Sequence, residues 1–194
     1  MSKVVFTGHR PQSLPGGFRN TKLHQQIKDG IKRTLTLNKP DIAISGMALG
    51  MDQWGVEVCI KLGIPFIAAL PFEGQENKWP PKSQEHYKWL LSKAIKIVYV
   101  DREKNYVSSD VAPGVYHPYK MFRRNEWMID QLEEGDTLLS LWDQRDRGGT
   151  YQCIKYATET CNRVHHVNIS LFNGIPKRTT YLIQQREDYD DVSF

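Results

Sequence analysis

Long apolar runs and regularly spaced cysteines are what this 194-residue chain lacks most clearly. No uninterrupted apolar segment approaches the roughly 20 residues that a membrane-spanning helix needs, so no membrane association is predicted. The three cysteines, Cys59, Cys153 and Cys161, do not have the spacing of a metal site. An odd number of cysteines favours free thiols in a reducing compartment. Because a strand-like run follows almost directly on Met1, no signal peptide is expected, and we predict a cytoplasmic location.

The chain also lacks internal repeats, low-complexity tracts and a strong excess of one charge. Its formal net charge is +4, with a pI of about 8.9. This mild basic excess suits a phosphate-bearing ligand but does not by itself indicate a nucleic-acid partner. The length and the hydrophobic fraction of 40% predict one domain, residues 1–194. We place its core at about residues 3–172 and a C-terminal extension at 173–194, with residues 186–194 acidic and frayed.

Short apolar runs alternate with helical patterns along the chain. Strands are predicted at residues 3–7, 41–44, 64–70, 94–100, 136–142 and 166–172, with a further strand-like run at 180–183. Helices are predicted at residues 21–37, 84–91, 121–132 and 150–160, and one more follows the glycine-rich loop at 45–52. Residues 101–120 form a long irregular segment, which we interpret as a lid. This alternation predicts an α/β protein with a mainly parallel sheet and helices on both faces.

The ligand crevice of such a sheet lies beyond the carboxyl ends of its strands. The polar and glycine residues that follow the predicted strands are Thr7, Gly8, His9, Arg10, Ser45, Gly46, Met47, Ala48, Gly50, Asp52, Pro71, Trp142, Asp143, Gly148, Gly149 and Thr150. We predict that these residues converge on one ligand-binding crevice.

Two glycine-rich turns in this set each precede a helix. Backbone amides in residues 46–50 and 148–150 can point at an oxyanion, and each helix N-terminus adds partial positive charge. Thr150 is a candidate N-cap, and Arg10 and Arg147 can neutralise phosphate charge. The alternative is that the glycines only form tight turns.

The sequence allows two roles for each of three residues near the predicted crevice. Asp52 can contact ribose or base, or it can cap its helix. Trp142 can stack on a base or belong to the core. Cys153 can be a packed apolar side chain, or a thiol activated by its position in the first helical turn.

Four segments carry a resemblance to a known family. Residues 5–11 (VFTGHRP), residues 45–52 (SGMALGMD), Arg124-Asn125 and residues 148–150 resemble the YpsA-like branch of the SLOG superfamily. That superfamily also contains DprA and the "lonely guy" phosphoribohydrolases. The resemblance implies a modified Rossmann-like three-layer sandwich that binds nucleotides or nucleotide-derived molecules. It adds Arg124 and Asn125 to the candidate ligand-binding residues and implies a homodimer or larger homo-oligomer.

The resemblance to the phosphoribohydrolases implies, as an alternative, a catalytic role for the crevice. Arg124 takes the position of their catalytic arginine, but Cys153 stands where they have a glutamate. If the chain is an enzyme, Arg124 holds phosphate and Glu73, Asp101 or Asp143 supplies the missing carboxylate. The alternative for Arg124 is a surface ion pair with Glu126 or Asp130.

Three functional hypotheses follow. The first is a binding domain that senses or sequesters a nucleotide-derived ligand, with Mg²⁺ accompanying a diphosphate and with Asp52 or Asp143 on the ribose hydroxyls. The second is a hydrolase or transferase acting on an N-glycosidic bond, which requires a carboxylate near the anomeric carbon. The third is a DprA-like single-stranded DNA binder, which requires exposed aromatic and basic residues such as Lys78, Trp79, Lys82, Lys88 and Trp89.

Overall fold

Strands and helices alternate along the chain, as the apolar pattern predicts. The structure is a computed structural model, which describes residues 1–107 and 110–185. The strands are β1 Lys3–Gly8, β2 Ile42–Ser45, β3 Phe66–Leu70, β4 Lys96–Tyr99, β5 Thr137–Leu141, β6 Val164–Phe172 and β7 Ile175–Ile183. The helices are α1 Thr21–Asn38, α2 Met51–Leu62, α3 Pro81–Leu91, α4 Pro118–Ile129 and α5 Gly149–Thr160.

The strands of the described chain form one sheet in the order β4-β3-β2-β1-β5-β6-β7. β1 to β6 are parallel, and β7 pairs antiparallel with β6. The chain places β2, β3 and β4 on one side of β1, and then returns to place β5 and β6 on the other side. Such a reversal leaves a crevice between the carboxyl ends of the two strands that flank it, which here are β1 and β5.

Alternate residues of β1 face opposite sides of the sheet. Val4 and Phe6 pack with α1, α2 and α3, whereas Val5 packs with α4 and α5. Helix α2 approaches β1 so closely that a Cβ on Gly55 would lie 2.7 Å from the Phe6 ring. Because helices cover both faces of a mainly parallel sheet, the predicted α/β three-layer, Rossmann-like sandwich is confirmed.

Helix α1 follows directly from its sequence pattern. The residues that recur every four positions, Leu23, Ile27, Ile31 and Leu35, are all buried against the sheet. The Asn20 side chain caps the helix by accepting a hydrogen bond from the Leu23 N–H at 3.1 Å.

Helix α4 begins at Pro118, three residues before the predicted start. Proline suits the first helical position because its missing N–H would have no partner there. The His117 Nδ1 atom caps the helix by accepting from the Tyr119 N–H at 3.2 Å. The segment predicted to be a lid is held at both ends by a buried ion pair between Asp101 and Lys120. Within that segment, residues 108–109 lie outside the described chain.

The predicted C-terminal extension is in part a strand of the sheet. β7 pairs with the whole length of β6, so the sheet extends to Ile183 and not only to residue 172. Asn173 and Gly174 connect the two strands with φ values of 49° and 75°. Positive φ at both positions is the geometry of a tight hairpin turn, for which Asn-Gly is the preferred sequence. Residues 186–194, predicted to be frayed, lie outside the described residues.

A polar cluster is buried between β5 and β6. Ser140 Oγ lies 2.8 Å from His166 Nε2 and donates to Asn168 Oδ1 at 2.7 Å. Asn168 also exchanges hydrogen bonds of 3.1 and 3.0 Å with the backbone of Trp142. Burial lowers the pKa of the His166 imidazole to about 4. The folded protein therefore holds this histidine in its neutral form.

We expect the free energy of unfolding to fall as the pH drops from 6.5 toward 4. The unfolded His166 binds a proton below its ordinary pKa of 6.5, whereas the folded imidazole resists protonation down to about 4. This difference between the unfolded and folded pKa values of His166 corresponds to a loss of up to about 3 kcal/mol in the free energy of unfolding. Urea unfolding at pH 7 and at pH 4.5 measures the loss. His166→Gln should lessen it, while carboxylates that titrate near pH 4 affect both proteins alike. Equal losses in both proteins would contradict the assignment.

Candidate functional site

The carboxyl ends of β1 and β5 open into a cavity of about 480 Å³, which we call the arginine cavity. It is bounded by the residues that follow β1, β2 and β5 and by one face of α4. Arg10, Arg124, Arg145 and Arg147 line it, and Asp52 is the single carboxylate among the described residues of its lining. The lining is therefore rich in guanidinium groups, which attract anions.

The structure brings most of the predicted ligand-binding residues to this cavity. Those that line it are Thr7, Gly8, His9, Arg10, Ala48, Asp52, Arg124, Asn125, Gly148, Gly149 and Thr150. The predicted residues outside its lining are Ser45, Gly46, Met47, Gly50, Pro71, Trp142 and Asp143. Arg147, predicted only as a counter-charge, also lines the cavity.

Four lining residues were not predicted, namely Ser13, Met121, Phe122 and Arg145. Ser13 ends a short 3-10 turn that follows Arg10. Met121 and Phe122 lie about one helical turn before Arg124 and Asn125, so the helical repeat could have identified them.

The loop after β2 is closed by its own hydrogen bonds. The Ser45 hydroxyl accepts from the Met47 N–H at 3.1 Å and donates to the Asp52 carbonyl at 3.0 Å. The Ala48 N–H donates to Asp52 Oδ2 at 3.3 Å. Two of the amides predicted to cradle a phosphate at residues 46–50 are therefore already occupied, because short polar side chains in the loop bond to its backbone.

The group that approaches Gly46 is the guanidinium of Arg124. Arg124 Nη1 donates to the Gly46 carbonyl, and a Cβ on Gly46 would overlap the guanidinium. Arg124 Nε donates to Asn125 Oδ1 at 3.0 Å, and Nη1 lies 3.7 Å from Asp52 Oδ2. The side chains of Arg124 and Asp52 are each 6% exposed. Arg124 is therefore buried at the cavity floor, and its alternative as a surface ion pair is wrong.

Burial acts on both charges of this pair. It raises the pKa of the Asp52 carboxyl, while Arg124 and the Ala48 N–H oppose the rise. Burial also lowers the pKa of Arg124, and Asp52 opposes that change. Each side chain is the main charged partner of the other, so the removal of one leaves an uncompensated charge in the interior.

The upper part of the cavity combines exposed cations with a helix N-terminus. Arg10 and Arg147 are exposed, and neither forms an ion pair with a described carboxylate. Gly148 is the N-cap of α5, with a φ of 89°, so the prediction that Thr150 is the N-cap is wrong. Thr150 instead lies in the first turn, and no side chain caps this helix. The first amides of α5 therefore add partial positive charge where Arg147 lines the cavity.

Asp143 and Trp142 lie beside the arginine cavity, not in its lining. Asp143 Oδ1 is 3.0 Å from His9 Nε2, and the other carboxylate oxygen accepts from Arg145. Burial acts to raise the pKa of Asp143, but hydrogen bonds from Arg145 and His9 outweigh it and hold the pKa below its ordinary value. The Trp142 ring stacks on Tyr151, with ring centroids 6.4 Å apart.

Arg124 lines the arginine cavity, but none of the carboxylates considered for glycosidic chemistry, Glu73, Asp101 and Asp143, belongs to its lining. Glu73 is 62% exposed and pairs with Arg102, and Asp101 is buried against Lys120. Cys153 is 1% exposed, and burial raises the pKa of its thiol to about 12. Cys153 is therefore a packed core residue at the position where the phosphoribohydrolases have a glutamate.

None of the helices in residues 1–107 and 110–185 combines the length and the apolar content required to cross a membrane. In the same ranges, no three His, Cys, Asp or Glu side chains are grouped so that they could hold a metal ion.

A Rossmann-like sheet with an arginine-lined cavity at its point of strand reversal defines a class of α/β folds. Within that class, the sequence profile of the YspA SLOG family (YpsA) matches residues 4–173, and the chain belongs to this family. The SPbeta prophage-derived protein YoqJ of Bacillus subtilis (strain 168) is 33% identical over 144 residues, which cover 72% of this chain and 82% of YoqJ. A UPF0398 protein of Bacillus thuringiensis (strain Al Hakam) is 26% identical over 168 residues, which cover 81% of this chain and 83% of that protein.

The fold is also similar to that of DNA processing protein A (DprA) from Streptococcus pneumoniae. The TM-score is 0.55 at 14% sequence identity, and the match covers 88% of this chain. The chain spans about half the length of DprA, 50% of which is covered. This likeness concerns the fold alone. Together with the family match, it confirms the resemblance noted in the sequence.

Proposed function

We propose that the chain binds a nucleotide or a nucleotide-derived molecule through its phosphate groups in the arginine cavity. The observation that carries this proposal is the set of four arginines that line the cavity at the strand reversal, of which Arg10 and Arg147 have no described carboxylate partner. Phosphate oxygens are the ligands that guanidinium groups and helix N-termini bind best.

The hydrogen-bond partners of the arginines indicate that Arg124 is held in place, whereas Arg10 and Arg147 are available to contact a ligand. Arg124 is held by Gly46 and Asn125 beside Asp52, so its guanidinium is fixed at the floor as part of an ion pair. Arg10 and Arg147 are exposed and without a described carboxylate partner, so they can close on an incoming phosphate. The Asn125 Nδ2 atom donates to the Gly149 carbonyl at 3.3 Å and thereby joins α4 to the start of α5.

Binding without cleavage is the favoured form of this function. Glycosidic hydrolysis needs a carboxylate that is placed to act as acid, base or nucleophile. Asp52, the carboxylate in the cavity lining, is engaged by Ala48 and lies beside Arg124. The chemical role of the glutamate in the phosphoribohydrolases is not available from a buried Cys153 thiol. These contacts favour a domain that senses or sequesters its ligand.

Arg147→Ala and Arg10→Ala are each expected to weaken the binding of ADP by roughly tenfold, because each removes a charge-assisted contact to phosphate. Titration calorimetry at low salt measures the affinity. The matched control is Arg178→Ala, because Arg178 is an exposed arginine on β7 outside the lining of the arginine cavity. Binding that is undetectable in the wild type, or equally weakened by the control, would refute the proposal. Chromatography of the recovered ligand tests the alternative, since release of free adenine would show hydrolysis.

A further inference from the structure

Two smaller cavities adjoin the arginine cavity, one on each side. The first, of about 240 Å³, shares His9 and Ser13 with it. The second, of about 390 Å³, shares Phe122 and Asn125 with it. The arginine cavity therefore shares part of its lining with each of the two smaller cavities, which have no lining residue in common with each other.

The smaller cavity, which we call the apolar annex, has mainly hydrocarbon walls. Its lining includes Leu14, Leu141, Trp142 and Ile169, and Asp143 stands at its border with the arginine cavity. A flat heterocyclic ring fits such a lining, because its faces are apolar while its edge carries groups that hydrogen-bond to a carboxylate.

The larger cavity, which we call the aromatic groove, lies between α4 and α5. Tyr119, Phe122 and Tyr156 are its aromatic residues. Phe122 is 39% exposed, although large apolar side chains are usually buried. Its ring makes no contact with another ring among the described residues. An exposed ring of this kind at the edge of an anion site is suited to stack on a base.

We propose that the ligand is a dinucleotide, with its diphosphate in the arginine cavity, one base in the apolar annex and the other in the aromatic groove. This inference rests on the function proposed above and adds the class of ligand. A mononucleotide fills only one of the two flanking cavities. A molecule with a nucleoside at each end of a diphosphate fills both, and its central charge meets the arginines.

A series of three probes tests the inference by calorimetry. These are inorganic pyrophosphate, ADP and diadenosine diphosphate. We expect the affinity to rise at each step, by roughly tenfold or more per stacked base. Diadenosine diphosphate carries less negative charge than ADP, so charge alone predicts the opposite order for these two probes. A gain from the second adenosine therefore reports the second base site.

Two variants assign the bases to their cavities. Phe122→Ala removes the ring of the aromatic groove, and Ser170→Phe fills the apolar annex from β6, where Ser170 is part of the lining. Each should weaken the binding of diadenosine diphosphate by roughly tenfold. Because Phe122 also lines the arginine cavity, pyrophosphate binding is compared in Ser170→Phe, which should leave it unchanged. The control is Trp89→Ala, because Trp89 is an exposed aromatic residue on α3, outside all three cavities.

The outcomes separate this inference from the proposed function. If pyrophosphate and ADP do not bind the wild type, the phosphate site itself fails. If they bind but diadenosine diphosphate is no tighter than ADP, only the dinucleotide inference is overturned. The same conclusion follows if Phe122→Ala changes the oligomeric mass and leaves the affinity unaltered, because the aromatic groove is then an interface between copies of the chain.

Discussion

Replacing Arg124 with methionine is expected to lower the free energy of unfolding by about 3–5 kcal/mol. Methionine fills much of the same space but leaves Asp52 in the interior without its cation. It also removes the donor to the Gly46 carbonyl. Urea unfolding at pH 7 measures the loss. The deficit should shrink in acid, because Asp52 carries no charge below its raised pKa.

Two controls make this expectation specific to the buried pair. Arg163→Met breaks an exposed pair with Glu134, whose side chains are 61% and 65% exposed, and should change stability by less than about 1 kcal/mol. Asp52→Asn combined with Arg124→Met removes both charges and should recover a large part of the loss. If Arg124→Met were no more harmful than Arg163→Met, the buried pair would not be a determinant of stability.

The elements that sequence reasoning predicted well are those whose buried faces are hydrocarbon. The four-residue repeat of α1 and the apolar run of β1 both lie in the core. In such segments the positions that are apolar in the sequence are the positions that are buried in the structure, so the spacing of apolar residues predicts the element. The parallel sheet followed from the alternation of these elements, and so did the location of a crevice at the carboxyl ends of its strands.

The start of helix α4 was harder to predict because the buried residues of its first two turns are polar, whereas Trp127, Met128 and Ile129 near its end are apolar. Lys120, Arg124 and Asn125 are all buried, although charged residues are usually taken as solvent-exposed. Their burial depends on partners that are distant in sequence, Asp101 for Lys120 and Gly46 for Arg124. No periodic pattern in the helix itself reveals those partners. Pro118, in contrast, was a local signal for the start of the helix. The apolar periodicity alone placed that start at residue 121.

The glycine-rich loop after β2 shows that a sequence motif can predict a close approach to the backbone without identifying the group that approaches. Glycine at position 46 indicates that some group approaches the backbone closely. In the structure that group is Arg124 of the protein itself, and the Ser45 and Asp52 side chains satisfy the neighbouring amides. The loop therefore holds Arg124 at the floor of the arginine cavity, whereas the sequence suggested that its amides bind a phosphate directly.

The candidate site was predictable in part because most of its lining follows strand ends. Phe122 belongs to α4, so it does not follow a strand. Only the folded chain brings this helix beside Arg10 and Arg147. Their convergence is a tertiary property, and it is also what joins the arginine cavity to its two flanking cavities.

Replacing Lys120 with methionine should likewise lower the free energy of unfolding by about 3–5 kcal/mol. Lys120 Nζ donates to Asp101 Oδ2 at 2.9 Å and to the Ala112 carbonyl at 2.6 Å. The two charged side chains are 3% and 1% exposed, so water cannot replace the lost cation. Asp101 Oδ1 already lacks a hydrogen-bond partner among the described residues, which makes the carboxylate especially dependent on its other oxygen.

The matched control is Lys155→Met, which breaks a pair with Glu159 whose side chains are 52% and 58% exposed. It should change stability by less than about 1 kcal/mol. A second measurement locates the effect, because the Gly114 N–H donates to the same Asp101 oxygen at 2.8 Å. Hydrogen exchange at Gly114 should accelerate in Lys120→Met and remain slow in Lys155→Met. Unchanged exchange together with a large loss of stability would mean that Lys120 stabilises the core without holding the segment between α4 and β4.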